Sequence, residues 1–323
     1  SPVFFSFLEF QKMNFEAQAR INEKIKREFG DVLVHLEDKE TIELMLNSDG
    51  KLWLEKLGQD MICLGEFSEA KAKSIITAVS TLLDTTTNAD NPILECELPL
   101  DGSRFEALLP PIVAKPTFTI RKKAVKIFTL DDYVDSNILT PKQKEVLINA
   151  ITERQNILVV GGTGSGKTTF SNAIIDGISK ITPEHRIVII EDTAELQCAS
   201  KNKVILRATD KVDMLRLLKA TMRLRPDRII VGETRGKEAL DLLKAWNTGH
   251  PGGIATIHAN SANGGLTRME QLISEATTAK MSKLIAEAVN LIVFISKTKE
   301  GRKIKEIIKV IDFENNKYIT QTI

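Results

Sequence analysis

Residues 156–169 read Asn-Ile-Leu-Val-Val-Gly-Gly-Thr-Gly-Ser-Gly-Lys-Thr-Thr. A short apolar run of strand character, Ile157–Val160, leads directly into G-x-x-x-x-G-K-T, and a helix-forming segment follows. Strand, glycine loop and helix in that order make a phosphate-binding loop. Gly161, Gly162, Gly164 and Gly166 let the backbone turn its N–H groups toward phosphate oxygens. Thr163 and Ser165 sit among them, and the helix beginning near Lys167 adds the positive end of its dipole. Lys167 has the reach for β- and γ-phosphates, Thr168 offers a hydroxyl to Mg²⁺, and Thr169 completes the loop. The chain is therefore expected to bind ATP or GTP.

The 323 residues exceed one average domain, so two are expected. With 44 Lys and Arg against 43 Asp and Glu, the net charge of +1 lacks the basic excess of a large nucleic-acid footprint. No direct sequence-specific nucleic-acid binding is expected. No apolar run approaches the roughly 18–20 residues that span a bilayer. Cys63, Cys96 and Cys198 are too few and too scattered for a disulfide framework or a zinc knuckle, and they suit a reducing cytosol. Phe4–Phe10 is rich in phenylalanine without the features of a signal peptide. Its two readings are a packed terminus and a peripheral membrane contact.

The N-terminal part alternates helix and strand signals. Residues 14–29 carry Ile21, Ile25 and Phe29 at helical spacing. Thr41–Leu46 and Lys51–Glu55 flank the turn cluster Asn47-Ser-Asp-Gly50, which makes a hairpin. A helix over 68–83 and strands over 93–98 and 104–109 complete an α+β domain assigned to 1–115. A linker or domain-bridging strand is expected over 116–136, where 118–123 alternate and 126–135 lose the pattern; its cations Arg121, Lys122, Lys123 and Lys126 read either as a solvated face or as phosphate contacts.

Residues 137–323 alternate strands and helices. Strands are expected at 157–160, 186–191, 203–207, 228–231, 254–258 and 291–296, with helices between them and a terminal hairpin over about 291–310. This pattern specifies a mainly parallel sheet with helices on both faces. Ligands in such sheets bind at the carboxyl ends of the strands, where Glu191, Glu233 and His258 follow apolar runs. Hydrolysis of a γ-phosphate needs a carboxylate to orient water and others to help hold Mg²⁺. Glu191 and Glu233 are the candidates for these roles; Thr168, Glu191 and Glu233 are the candidate metal groups. His258 is placed for a phosphate sensor.

Four blocks occur in order: Gly161–Thr169, Ile190–Leu196, Arg223–Glu233 and Thr248–Asn260. They resemble the Walker A, Asp box, Walker B and His box of the secretion traffic ATPases, especially the TrbB-type conjugal transfer ATPases of type IV secretion systems. The N-terminal segments 42–50, 91–104 and 118–123 are similar to that branch as well. The resemblance implies an α/β fold in which a smaller α+β domain precedes a RecA-like P-loop ATPase domain. It implies a homohexamer that hydrolyses ATP with Mg²⁺ to drive pilus assembly and DNA or protein transfer. Such a ring would lie in the cytoplasm, peripheral to the inner membrane, with other secretion components as partners. The resemblance also places Arg104 and Arg121 on the nucleotide phosphates, and it offers Arg207, Arg223 and Arg225 as further phosphate or inter-subunit contacts. It gives the water-activating role to the Asp-box or the Walker B glutamate; Glu191 is taken first as the base, with Glu233 as support for water and Mg²⁺. A RecA-like DNA translocase is the main alternative; a nucleotide-gated scaffold and a small-molecule kinase are the others.

Overall fold

The structure, a computed structural model, describes residues 7–122, 127–209 and 211–323. Phe4, Phe5, Lys123 and Lys126 lie outside the described residues. The chain forms two compact units that divide after Val125.

The first unit opens with helix α1 (Phe7–Phe29), a 3₁₀ turn at Gly30–Val32 and the short α2 (Leu33–Glu37). Strands β1 (Thr41–Leu46) and β2 (Lys51–Lys56) form the expected hairpin. Gly50 takes the left-handed conformation that closes the turn, at φ 89°. Then come β3 (Ile62–Glu66), α3 (Glu69–Leu82), β4 (Ile93–Glu97), β5 (Arg104–Leu108) and β6 (Thr117–Arg121). Ser68 caps α3 by accepting the Lys71 N–H. The antiparallel sheet runs β3-β2-β1-β6-β5-β4. Its inward residues Leu44, Leu54, Phe105, Phe118 and Ile120 pack with Ile25 and Phe29 of α1 and with Ile75, Ile76 and Val79 of α3.

The second unit begins with α4 (Leu130–Asp135) and α5 (Pro141–Thr152), each opened by a capping box, Thr129 with Asp132 and Thr140 with Gln143. The stretch expected as a linker or domain-bridging strand thus supplies β6 to the middle of the first sheet and α4 to the second core. Local burial explains both ends: Phe118 and Ile120 are buried in the sheet, and Leu130 and Tyr133 under α4.

The remaining elements are β7 (Ile157–Gly161), α6 (Lys167–Ile181), β8 (Ile187–Glu191), β9 (Lys203–Arg207), α7 (Met214–Thr221), β10 (Arg228–Val231) and α8 (Glu238–Asn247). They are followed by β11 (Ile254–His258), α9 (Ala262–Ser274), α10 (Ser282–Ala288), β12 (Leu291–Thr298), β13 (Gly301–Glu314) and β14 (Lys317–Thr322). The sheet is mixed, in the order β14-β13-β12-β7-β11-β10-β8-β9. β9, β8, β10, β11, β7 and β12 pair in parallel; β13 and β14 add antiparallel. Residues alternate between two cores. Leu158 and Val160 face α8, α9 and α10, whereas Ile157 and Val159 face α4, α5 and α6. β14 lies beyond the expected terminal hairpin, after a turn in which Asn315 and Asn316 both take positive φ.

At the end of the sheet away from the glycine loop, Arg228 is fully buried. Its guanidinium donates to the Ile151 carbonyl at 2.8 Å, the Gly252 carbonyl at 3.0 Å and His185 Nδ1 at 3.0 Å. The cation thus ties α5, β10 and the loop before β11 through neutral acceptors. Burial, with Arg154 nearby, pushes Arg228 down to about 10. Burial and the positive charges of Arg228 and Arg154 also hold His185 below its usual value. Since His185 accepts from Arg228, the fold favours neutral imidazole. That contribution is complete above the unfolded pKa of about 6.5 and is lost as pH falls through the lower folded value. The thermal midpoint of this unit should therefore fall between about pH 7.5 and 5.5, and His185→Gln should flatten that dependence. An equal drop in both proteins would remove His185 from this account.

Candidate functional site

β7 is buried along its whole length between β11 and β12. Chain leaving it must turn sharply within the sheet layer. Gly161 has no room for a Cβ, which would meet the Ile295 carbonyl and the Ser165 hydroxyl. Gly164 and Gly166 carry the turn at φ 67° and 96°. Gly166 precedes α6 and gives it no side-chain cap, so the first-turn N–H groups depend on an acceptor from outside the helix. The Ser165 hydroxyl is likewise buried without a protein partner. An uncapped helix N-terminus beside a buried hydroxyl is the setting an anion suits. Thr163 is exposed at the crest of the loop, and Thr168 and Thr169 are half-buried in the first turn of α6. Lys167 Nζ lies over the loop, 3.0 Å from the Gly161 carbonyl and 3.1 Å from that of Gly162.

Parallel register sets the neighbours of that lysine. His258, the last residue of β11, is in register with Gly161, and its Nδ1 is 3.3 Å from Lys167 Nζ. An ammonium only donates, so Nδ1 accepts and the ring proton sits on Nε2. That nitrogen is 2.9 Å from Glu233 Oε1, just past the end of β10. The other oxygen of Glu233 accepts from Arg235 Nη2 at 2.8 Å, and Arg235 Nη1 reaches Asp192 Oδ2, also at 2.8 Å. Burial and the Lys167 charge lower the His258 pKa, against the upward pull of Glu233. Burial by itself would raise Glu233. The Arg235 hydrogen bond and the charges of Arg235 and Lys167 outweigh it and hold the carboxyl below its usual value.

Glu191 has a different setting. It is buried at the end of β8, and its Oε2 accepts the Glu195 N–H at 3.0 Å and the Leu196 N–H at 2.9 Å. Burial raises its pKa despite those two bonds. With strands about 4.8 Å apart, β10 stands about 10 Å from β7 and β8 about 14 Å. The structure therefore brings Lys167, His258 and Glu233 together and leaves Glu191 one strand further out, holding its own loop. Among the described residues no group of three or more His, Cys, Asp or Glu side chains could hold a metal ion unaided.

In the first unit, Arg104 and Arg121 are exposed cross-strand partners on β5 and β6. Glu97 stands opposite Arg104, and Glu43 opposite Arg121, in one row across the sheet. Two like charges side by side are unfavourable alone, and here a carboxylate flanks each on the neighbouring strand. Sequence reasoning missed Arg235, Asp192 and Arg228. Arg235 and Asp192 had a usable signal, since each is a charged residue within a few positions of an apolar strand's carboxyl end.

Residues 18–300 match the family model described as Type II/IV secretion system protein. The chain is 52% identical over 300 residues to the "Probable conjugal transfer protein TrbB" of Sinorhizobium fredii, covering 93% of this chain and 92% of the relative. It is 50% identical over 303 residues to the "Conjugal transfer protein TrbB" of Rhizobium radiobacter, covering 94% of each. Among solved structures, the Yersinia pseudotuberculosis ATPase DotB aligns with a TM-score of 0.62 at 17% identity, over 89% of this chain and 79% of that one; at that identity the likeness concerns fold alone. Identity of this size over more than 90% of each chain means that the chain belongs to the type II/IV secretion system protein family, among its conjugal transfer and type IV secretion proteins.

Proposed function

We propose that this chain is a RecA-like ATPase that hydrolyses ATP to drive conjugative type IV secretion, both pilus assembly and transfer of DNA or protein. The observation that carries the hydrolytic reading is the row Lys167–His258–Glu233 at the ends of three adjacent strands. Phosphates would take the N–H groups of Gly161–Thr169 and the Ser165 hydroxyl, and Lys167 would turn from the loop carbonyls to them. Mg²⁺, when bound, neutralises charge on the phosphates; Thr168 and Glu233 would hold it with phosphate oxygens and water, a usual arrangement for this ion.

Glu233 is our choice for the group that orients water and accepts its proton as the new P–O bond forms and the bond to ADP breaks. This reverses the order expected from sequence, which put Glu191 first. Proximity is the reason: Glu233 is linked to the loop lysine through one imidazole, whereas Glu191 is engaged by Glu195 and Leu196. We assign Glu191 to shaping the loop after β8. Lys167→Ala should lose turnover by about 100-fold or more, as removal of a phosphate-stabilising group does. Glu233→Gln should keep ATP binding and hydrolyse slowly, and Glu191→Gln should show the smaller loss in steady-state phosphate release. Full turnover by Lys167→Ala would sink the site, and a larger loss in Glu191→Gln would restore the original order.

The paired guanidinium groups of Arg104 and Arg121 are proposed as phosphate-binding groups. Replacing either by Ala should weaken ATP binding about 10-fold, the scale of one charge-assisted contact. Calorimetric affinities equal to the parent's would assign the pair to the solvated face.

The assembly proposed is a homohexameric ring on the cytoplasmic side of the inner membrane, attached through other secretion components. Among the described residues no helix is long and apolar enough to cross a membrane. Native mass of the ATP-bound protein should show six copies; a monomer at micromolar concentration would overturn the ring. The DNA translocase alternative is not favoured, because the near-zero net charge and the family both point elsewhere.

A further inference from the structure

Arg235 stands outside the groups so far given a role in hydrolysis. It lies in the short loop between β10 and α8, and its backbone is fixed. Its own N–H and that of Gly236 both donate to Glu238 Oε1, at 2.7 and 3.0 Å. From that anchored base the guanidinium uses two different nitrogens. Nη2 donates to Glu233 Oε2 and Nη1 to Asp192 Oδ2, each at 2.8 Å. The two carboxylates belong to different strand ends, β10 and β8, which are hydrogen-bonded neighbours in the sheet.

These contacts leave Glu233 little rotational freedom. One oxygen is held by His258 and the other by Arg235. Each oxygen keeps a lone pair free, so a water can still be bound while the carboxylate plane stays put. The side chain of Arg235 is 56% exposed, and ion pairs at that exposure contribute little to stability. Its consequence is therefore geometric. A forked, planar guanidinium can hold two carboxylates in fixed relation, which a lysine ammonium does poorly.

We propose that Arg235 is a positioning residue for ATP hydrolysis, clamping the Glu233 carboxylate in its working orientation with Asp192 as the anchor. The row Lys167, His258, Glu233, Arg235, Asp192 then crosses the ends of β7, β11, β10 and β8 in spatial order. Arg235 ties the carboxylate at its centre to the loop after β8. The proposal rests on the reading of Glu233 as the hydrolytic carboxylate.

The test is steady-state ATP hydrolysis and equilibrium ATP affinity for Arg235→Gln, Arg235→Lys, Asp192→Asn and the Arg235→Gln/Asp192→Asn double variant, with Glu233→Gln alongside. Arg235→Gln should lower kcat about 10- to 100-fold, the usual cost of losing a group that orients a reacting one. Affinity for ATP should stay within about 3-fold, because the contact is not made to substrate. Arg235→Lys should recover part of kcat, Asp192→Asn should lose less than Arg235→Gln, and the double variant should match Arg235→Gln, because the anchor acts only through the arginine. Parental kcat in Arg235→Gln overturns the proposal, and so does a loss seen only in KM. If Glu233→Gln is slow while Arg235→Gln is fast, the clamp fails and the carboxylate assignment survives; if Glu233→Gln is fast, both fail. Asp192→Asn, at a partly exposed side chain, keeps the test decisive should Arg235→Gln fold poorly.

Discussion

Burial of β7 in the middle of a parallel array is the constraint on which the rest depends. Four consecutive apolar residues, Ile157–Val160, supply both cores at once, alternating between the α8–α10 side and the α4–α6 side. Each such side chain contributes about 1.5–3 kcal/mol when fully buried, so the strand cannot slip by one residue without exchanging its two faces. Fixed this way, β7 places its last residue, Gly161, against Ile295 of β12 on one side and level with His258 of β11 on the other. The loop that follows has only glycine-permitted routes into α6. Its left-handed turns lead to a helix N-terminus that has no side-chain cap.

From that fixed point the chemistry is laid out by strand spacing. Parallel strands all present their carboxyl ends to the same edge, so polar residues following apolar runs gather there whatever their distance in sequence. Lys167, His258, Glu233, Arg235 and Asp192 are spread over residues 167–258, yet neighbouring members are linked by distances of 2.8–3.3 Å. Alternating charge and a neutral imidazole make the row self-consistent. Burial and Lys167 keep His258 neutral so that it can accept from one side and donate to the other, while Arg235 and Lys167 keep Glu233 ionised despite its burial. The opposite end of the same sheet is organised by a different device, the buried Arg228, which pins the loop leading into β11.

Much of the fold was legible because its signals are local. The glycine loop, the Asn47–Gly50 hairpin, the Thr140 capping box and the apolar strands of the second unit each depend on residues within a few positions of one another. β3 was missed because it is an edge strand whose residues are largely exposed, which erases the alternation that marks a half-buried strand. β6 was legible in the alternation of 118–123, whereas α4 was absorbed into a linker because 126–135 lose periodicity, although Leu130 and Tyr133 are buried. Arg228 opens an apolar strand, and nothing in the sequence nearby indicates that its acceptors are the carbonyls of Ile151 and Gly252 and the ring of His185.

The choice between Glu191 and Glu233 shows where local information ends. Sequence by itself determined that a phosphate-binding loop exists, that apolar strands alternate with helices around it, and that both glutamates and His258 stand at strand ends. It did so because propensity, glycine requirement and hydrophobic period are properties of short segments. Only the tertiary structure decided the lateral order β7-β11-β10-β8, and with it that Glu233 shares a hydrogen-bonded row with Lys167 while Glu191 turns to the backbone of its own loop. Lateral order is set by which faces bury most completely against which helices, a sum over contacts far apart in the chain that no short segment contains.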